Sequence, residues 1–187
     1  NHMLNISSFP FLNNFFINKH NMMINYFNLI YLIHIKLIFC MDEIYQFKLE
    51  KHDTRSISDD HVNGSLTVIW RDWDKILKHS PKMVYVSSVE PREIKGPHIH
   101  TKRNSYFTCI HGKVLFVLKK NDGSYIEIES DEQNPTMIYV PKNMPSAHLN
   151  LSKSTSRILT IADLAWKPND NEMMNSTFLD YDWKKWE

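Results

Sequence analysis

Apolar residues along most of this chain recur at alternate positions, in short runs parted by turn residues. The run Ser124–Ser130, SYIEIES, alternates strictly. A period of two is the mark of a strand with one buried face. The run 82–89, KMVYVSSV, is β-branched and aromatic, the composition that strands favour. The same pattern predicts strands at QFKLEKH (46–52), SLTVIW (65–70), SYFTCIH (105–111), KVLFVLKK (113–120), TMIYVP (136–141), SAHLNLS (146–152) and SRILTIADL (156–164). Asn63-Gly64 is a strong turn dipeptide and closes the loop SISDDHVNG. Asn121-Asp122-Gly123 makes another turn, and Pro141 and Pro145 mark a loop. RDWDKILKHS (71–80) reads as one helical turn or a loop, stopped by Pro81. The sum is about nine or ten strands with a turn signal roughly every ten residues, which predicts an all-β sandwich or small barrel. The polar and aromatic tail from Trp166 to Glu187 is expected to pack over it as short helical or irregular segments.

The first forty residues do not share this pattern. Asn1 to Cys40 contain no Asp, Glu or Gly. Asn1-His2-Met3 looks like the remnant of a cleaved expression tag. Tyr26–Cys40 is apolar but only fifteen residues long, and it carries His34 and Lys36. It is short and polar for a membrane span, which needs about twenty apolar residues. No small-residue cleavage site follows it, so it makes a poor signal peptide. Composition becomes ordinary at Met41. The expected organisation is therefore an N-terminal extension, residues 1–40, with Met41 as a candidate start, and one folded domain over 41–187. A real N-terminal helix, or an extra strand that pairs with a partner subunit, are the other readings of 1–40.

Composition narrows the function. The 187 residues are 42% apolar with a formal net charge of +1, enough for one full hydrophobic core. Near-neutral charge argues against nucleic acid as the main partner. Two cysteines, Cys40 and Cys109, form no disulfide framework, so a reducing, cytoplasmic setting is expected. No phosphate-loop or dinucleotide glycine pattern is present.

The chemistry concentrates in GPHIHTKRNSYFTCIHG, Gly96 to Gly112. His98 and His100 lie two apart and so share one strand face. Lys102 and Arg103 place cations beside them. On its own the basic pair reads as a solvated turn, Tyr85 and Cys109 as core, and His111 as a turn residue. His52, His61 and His79 lie in polar loop-like sequence and carry no signal.

This stretch resembles the first cupin motif, with Gly96, His98, His100 and Gly112 in its places and Ser105 where a glutamate stands. The second motif, PxGxxHxxxN, is similar to Pro141–Asn150. There Asn143 replaces the glycine and Ser146 the histidine, and His148 follows on the same face. The resemblance implies a cupin-type double-stranded β-helix, a jelly-roll sandwich. Within the cupins, KGPHIHTK, YVPKNMPSAHLNLS and ADLAWKPND resemble the sugar-nucleotide branch over about Lys82 to Trp183. That branch holds dTDP-4-keto-6-deoxyhexose 3,4-ketoisomerases (FdtA- or WxcM-like) and dTDP-4-dehydrorhamnose 3,5-epimerases (RmlC-like). The ketoisomerases rely on both histidines and a tyrosine on the preceding strand, which match His98, His100 and Tyr85. The epimerases match less fully. Their lysine position holds Ser105, their tyrosine falls at Leu159, and their late aspartate has no clear counterpart.

The resemblance implies proton transfer by His98 and His100, helped by Tyr85, on a nucleotide-linked keto sugar, with no cofactor. Arg71, Arg92, Lys102, Arg103, Ser105 and His148 are the expected substrate contacts, and Trp70, Trp73 or Tyr106 are candidates for stacking. A homodimer is expected, with no nucleic-acid or membrane partner. Two other readings stand beside it: a metal-dependent cupin with His98, His100 and His148 as ligands, and a non-catalytic cupin that binds sugar.

Overall fold

A computed structural model describes residues 44–186. The expectations for residues 1–40, and for Met41 as a start, lie outside this span. Among the described residues there are twelve strands and one short 3-10 turn. In chain order the strands are β1 (Tyr45–Lys48), β2 (Lys51–Arg55), β3 (Val62–Thr67), β4 (Met83–Val89), β5 (Ile94–His100) and β6 (Ser105–His111). Then follow β7 (Lys113–Lys119), β8 (Tyr125–Asp131), β9 (Thr136–Val140), β10 (Ser146–Asn150), β11 (Ser156–Ala162) and β12 (Met173–Asn175). One five-stranded sheet runs β1-β9-β6-β11-β4 and the other β12-β5-β10-β7-β8, while β2 and β3 form a separate hairpin. All pairings are antiparallel. This is the jelly-roll sandwich that the motifs implied.

Three expectations need correction. QFKLEKH is two strands, because Leu49 turns inward to 5% exposure and its N–H donates to the Pro135 carbonyl. Asn63-Gly64 is no turn. Both residues lie inside β3, where Gly64 pairs with Thr54, and a side chain at 64 would press on the Thr54 hydroxyl. The reversal comes earlier, between Ser56 and His61, where Asp60 takes a φ of 59°. The tail contributes a strand, β12, which pairs with the histidine strand β5.

Apolar residues fill three places. Between the sheets lie Val89, Cys109, Val114, Phe116, Ile128, Ile138 and Ile158. The outer face of the first sheet buries Tyr106, Met137, Tyr139 and Ile161, covered by Ile69, Ile76 and Leu77 of the 68–81 loop. The outer face of the second sheet buries Leu115, Val117, Ala147 and Leu149 under Phe178 and Tyr181, with Trp183 and Trp186 beside them. The Trp-rich tail is therefore packing. Each fully buried side chain of this size contributes about 1.5–3 kcal/mol.

Two residues of the motifs have clear structural work. Gly112 turns β6 into β7 at φ 77°, and a Cβ there would collide with the Ser152 and Ser156 side chains. Asn150 is fully buried. Its amide donates to the Val89 and Ser154 carbonyls, and its side-chain oxygen accepts from the Ser152 N–H and the Ser156 hydroxyl. A buried amide with all four contacts satisfied ties β10 to the end of β4 and the start of β11.

Candidate active site

The two sheets separate on the β4–β5 side, leaving a cavity of about 480 Å³. That is within the size range of small-molecule sites. One wall comes from the first sheet: Met83, Tyr85 and Ser87 of β4 with Phe107 of β6. The other comes from the second sheet: Lys95, His98 and His100 of β5, with Ser146 and His148 of β10 and Met173 of β12. Trp166, 59% exposed, stands at the mouth. The strand period puts Lys95 out of step with the histidines, but a bulge between Ser146 and His148 shifts the register of β10 against β5. Gly96 permits a close approach here. At its φ of 92° a Cβ would lie 2.9 Å from the Ser146 carbonyl oxygen.

The loop after β5 turns Arg103 inward. Asn104 donates its backbone and side-chain N–H groups to the Asp163 carboxylate, at 2.8 and 2.6 Å. Its side-chain oxygen accepts from Tyr139 and from the Lys142 N–H. The Asn143 N–H donates to the His100 carbonyl at 2.7 Å. Asn143 adopts φ 66°, the left-handed conformation that a glycine takes without strain and that asparagine tolerates best among the rest. That explains how it fills the motif's glycine position. With its loop fixed on both sides, Arg103 is left 6% exposed, its guanidinium 3.0 Å from His100 Nε2 and 3.4 Å from the Tyr85 hydroxyl.

A guanidinium only donates hydrogen bonds, so His100 Nε2 is the acceptor and carries no proton. The ring's proton is then on Nδ1. It points at Glu172, whose two oxygens lie 3.1 and 3.2 Å away. Glu172 is 1% exposed and also lies 3.3 Å from Arg103 Nε. Burial pushes the His100 pKa down to about 4, helped by the charges of Arg103 and His98. His100 thus rests as a neutral imidazole of fixed tautomer. Burial also raises the Glu172 carboxyl, against the pull of Arg103. The ion pair with Arg103 keeps it the acceptor that the His100 N–H needs.

His98 and His148 are placed differently. His98 Nδ1 is buried with no protein partner. His148 is fully enclosed, edge-on to Phe107 and Phe116 with both ring centroids 4.7 Å away, and neither nitrogen has a partner. Burial drives its pKa down to about 3, with Lys95 and the other two histidines adding to the effect.

A family model described as FdtA, WxcM-like, C-terminal, matches residues 47–183. The chain belongs to this family. No curated protein matches it. Among solved structures, the dTDP sugar isomerase from Desulfovibrio desulfuricans G20 superposes with a TM-score of 0.63 at 13% identity, covering 73% of this chain and 85% of that one. RmlC from Legionella pneumophila Philadelphia 1, a dTDP-6-deoxy-D-glucose-3,5-epimerase, gives 0.61 at 12% identity, over 75% and 76%. QdtA from Thermoanaerobacterium thermosaccharolyticum, a sugar 3,4-ketoisomerase crystallised with TDP, gives 0.57 at 17% identity, over 78% and 93%. All three share the fold.

His98, His100 and Tyr85 line the cavity, and His148 and Arg103 line it with them. The other expected contacts do not. Arg71 is held by Glu50 and Asp74 away from the cavity. Arg92 donates to the Trp186 carbonyl, and Lys102 to the Asp170 carbonyl. Ser105 is buried in β6 and absent from the cavity lining. Trp73 stacks with Arg71, and Tyr106 is buried, its hydroxyl accepting from the Lys78 N–H. The metal reading finds little support. Among the described residues no three His, Cys, Asp or Glu side chains gather to hold an ion. His100 turns its free lone pair to a guanidinium, whose charge repels a cation, and His148 sits between two rings. Sequence reasoning missed Glu172, Lys95 and Trp166. Lys95 lies inside KGPHIHTK, a segment already singled out, and that place was a usable signal. Glu172 had none, because it precedes a three-residue strand too short for any period to reveal.

Proposed function

We propose that this protein is an isomerase of a nucleotide-activated 4-keto-6-deoxy sugar that moves the ketone from C4 to C3. One observation carries the reading: two histidines of one strand face a cavity that Tyr85 and the buried Arg103 complete from the opposite side and the floor. A 4-keto sugar is acidic at C3. His98 removes that proton, and the electrons form an enediolate across C3 and C4. Tyr85 and Arg103 meet the developing oxyanion, the interaction that gains most in a desolvated site. The O3 hydroxyl proton passes to O4 as His100 delivers a proton to C4, and the ketone is left at C3. Neutral at rest, His100 takes up that proton on Nε2 from solvent once the Arg103 guanidinium has turned from Nε2 to the enediolate oxygens, while the carboxylate behind Nδ1 balances the imidazolium. Lys95 is the cation in the cavity lining that we assign to the diphosphate, and Trp166 at the mouth is placed to stack on the base.

The test is incubation with dTDP-4-keto-6-deoxyglucose in heavy water, followed by NMR. The expected product is the 3-keto sugar with deuterium at C4. A ketone that stays at C4, with exchange at C3 and C5, would replace this reading with 3,5-epimerisation. Binding without exchange at any carbon would leave a sugar-binding cupin. The same proposal includes a homodimer. β4 is an edge strand and exposes Val84 and Val86, at 60% and 53%, a flank that a second copy would cover. A monomer in light scattering at micromolar concentration would sink that part.

A further inference from the structure

We infer that Glu172 is a positioning residue for His100, fixing its tautomer and balancing its charge during proton delivery to C4. The geometry leaves the carboxylate no other evident task. A carboxylate removed from water costs several kcal/mol unless charge and hydrogen bonds replace the solvent. Glu172, 1% exposed, takes its side-chain hydrogen bonds from His100 and its nearest positive charge from Arg103, with Lys102 adding to the field. Strand attachment does not need its side chain. The Thr101 N–H and hydroxyl both bond to the Glu172 backbone carbonyl, at 2.7 and 3.0 Å, and the neighbouring Met173 pairs with His100 through the ladder. The contact spans 72 positions in sequence and brings the start of the edge strand β12 onto the end of β5. The carboxylate serves the second histidine of the pair alone. His98 Nδ1 has no such partner. The two imidazoles are therefore chemically unlike: one backed by an anion, the other open to the cavity.

The activity arm of the test rests on the ketoisomerase reading, and the spectroscopic arm does not. Glu172→Gln keeps the size and an acceptor oxygen but removes the charge. In heavy water, exchange of the substrate's C3 proton should stay within about twofold of wild type. Product formation should fall on the order of 10²-fold with little change in KM, as when the group behind a catalytic imidazole is lost. Glu172→Asp should recover part of the loss. Without substrate, NMR of the histidine rings should show an Nδ1 proton on His100 in the wild type, shifted downfield by the carboxylate. In Glu172→Gln that resonance should move upfield, while those of His98 and His148 stay in place. An Nε2 proton on His100, an unmoved resonance, or equal losses of exchange and product would overturn the inference. An inactive wild type with the resonance behaving as described would sink the ketoisomerase reading and still support the hold of Glu172 on His100. Should Glu172→Gln fail to fold, Glu172→Asp takes its place: a displaced resonance and partial product loss support the role, and unchanged values refute it.

Discussion

The space between the two sheets has two halves, lined by different strands of the same two sheets. Away from the cavity, Phe116, Ile128, Ile138 and Ile158 belong to one buried apolar cluster. On the β4–β5 side, the inward positions are Tyr85, Ser87, His98 and His100, and the sheets stand open around a cavity. Both halves are made of antiparallel strands, with a bulge in β10 beside β5 at the cavity, and the inward side chains differ. A run of branched and aromatic carbon closes the layer, because dispersion and desolvation reward contact. Polar side chains fixed by their own partners resist closure, because each needs a hydrogen bond that packing would remove. His148 sits at the seam, with two phenyl rings on one side and the cavity on the other.

The sharpest way to break this division is to change each half and ask which property moves. His98→Asn removes a base but keeps the shape and a hydrogen-bonding amide. Turnover should fall by about 10²–10⁴-fold, the usual contribution of general base catalysis, with melting temperature and nucleotide affinity nearly unchanged. Wild-type turnover in this variant would mean that the open half does no proton chemistry through His98. Phe116→Ala in the closed half should do the reverse. Loss of a fully buried phenyl typically costs about 3–5 kcal/mol, read as a shift in denaturant midpoint. If that variant kept its stability and lost activity alone, the two halves would not be separable.

The same division explains what was legible in the sequence. β4, β8, β9 and β11 stand where KMVYVSSV, SYIEIES, TMIYVP and SRILTIADL predicted them, from strict alternation in SYIEIES and from apolar, β-branched and aromatic runs in the others. The histidine pair was legible because i and i+2 share a face whatever the tertiary structure does. Glu172 was not, and of Arg103 only its place beside the histidines was, not its inward turn. Arg103 follows a turn, where direction is set by the Asn104–Asp163 clamp, a contact 59 positions long. Charges near a turn read as solvated, and only the fold shows one driven inward. Asn63-Gly64 misled for a related reason: its turn preference is local, and the strand pairing of Gly64 with Thr54 overrode it.

The smallest expected effect concerns the seam. His148 takes a proton near pH 6.5 when unfolded but only near pH 3 when folded. For His100 the corresponding values are 6.5 and about 4. Across these windows the unfolded chain binds more protons, so protonation favours unfolding. The stability from burying each ring neutral is complete above about pH 6.5 and falls as pH drops, by up to about 1.4 kcal/mol per unit for each ring. Melting temperature should therefore decline between pH 6.5 and 4 beyond what the carboxylates cause. His148→Phe removes one of the two contributions. The new ring meets Phe107 and Phe116 in a slot where neither imidazole nitrogen had a partner. At pH 7 its stability should match or slightly exceed wild type. Between pH 6.5 and 4 the part of its decline beyond what the carboxylates cause should be about half as steep. An unchanged slope would show that His148 finds a proton acceptor in the folded protein and belongs with the polar half rather than with the core.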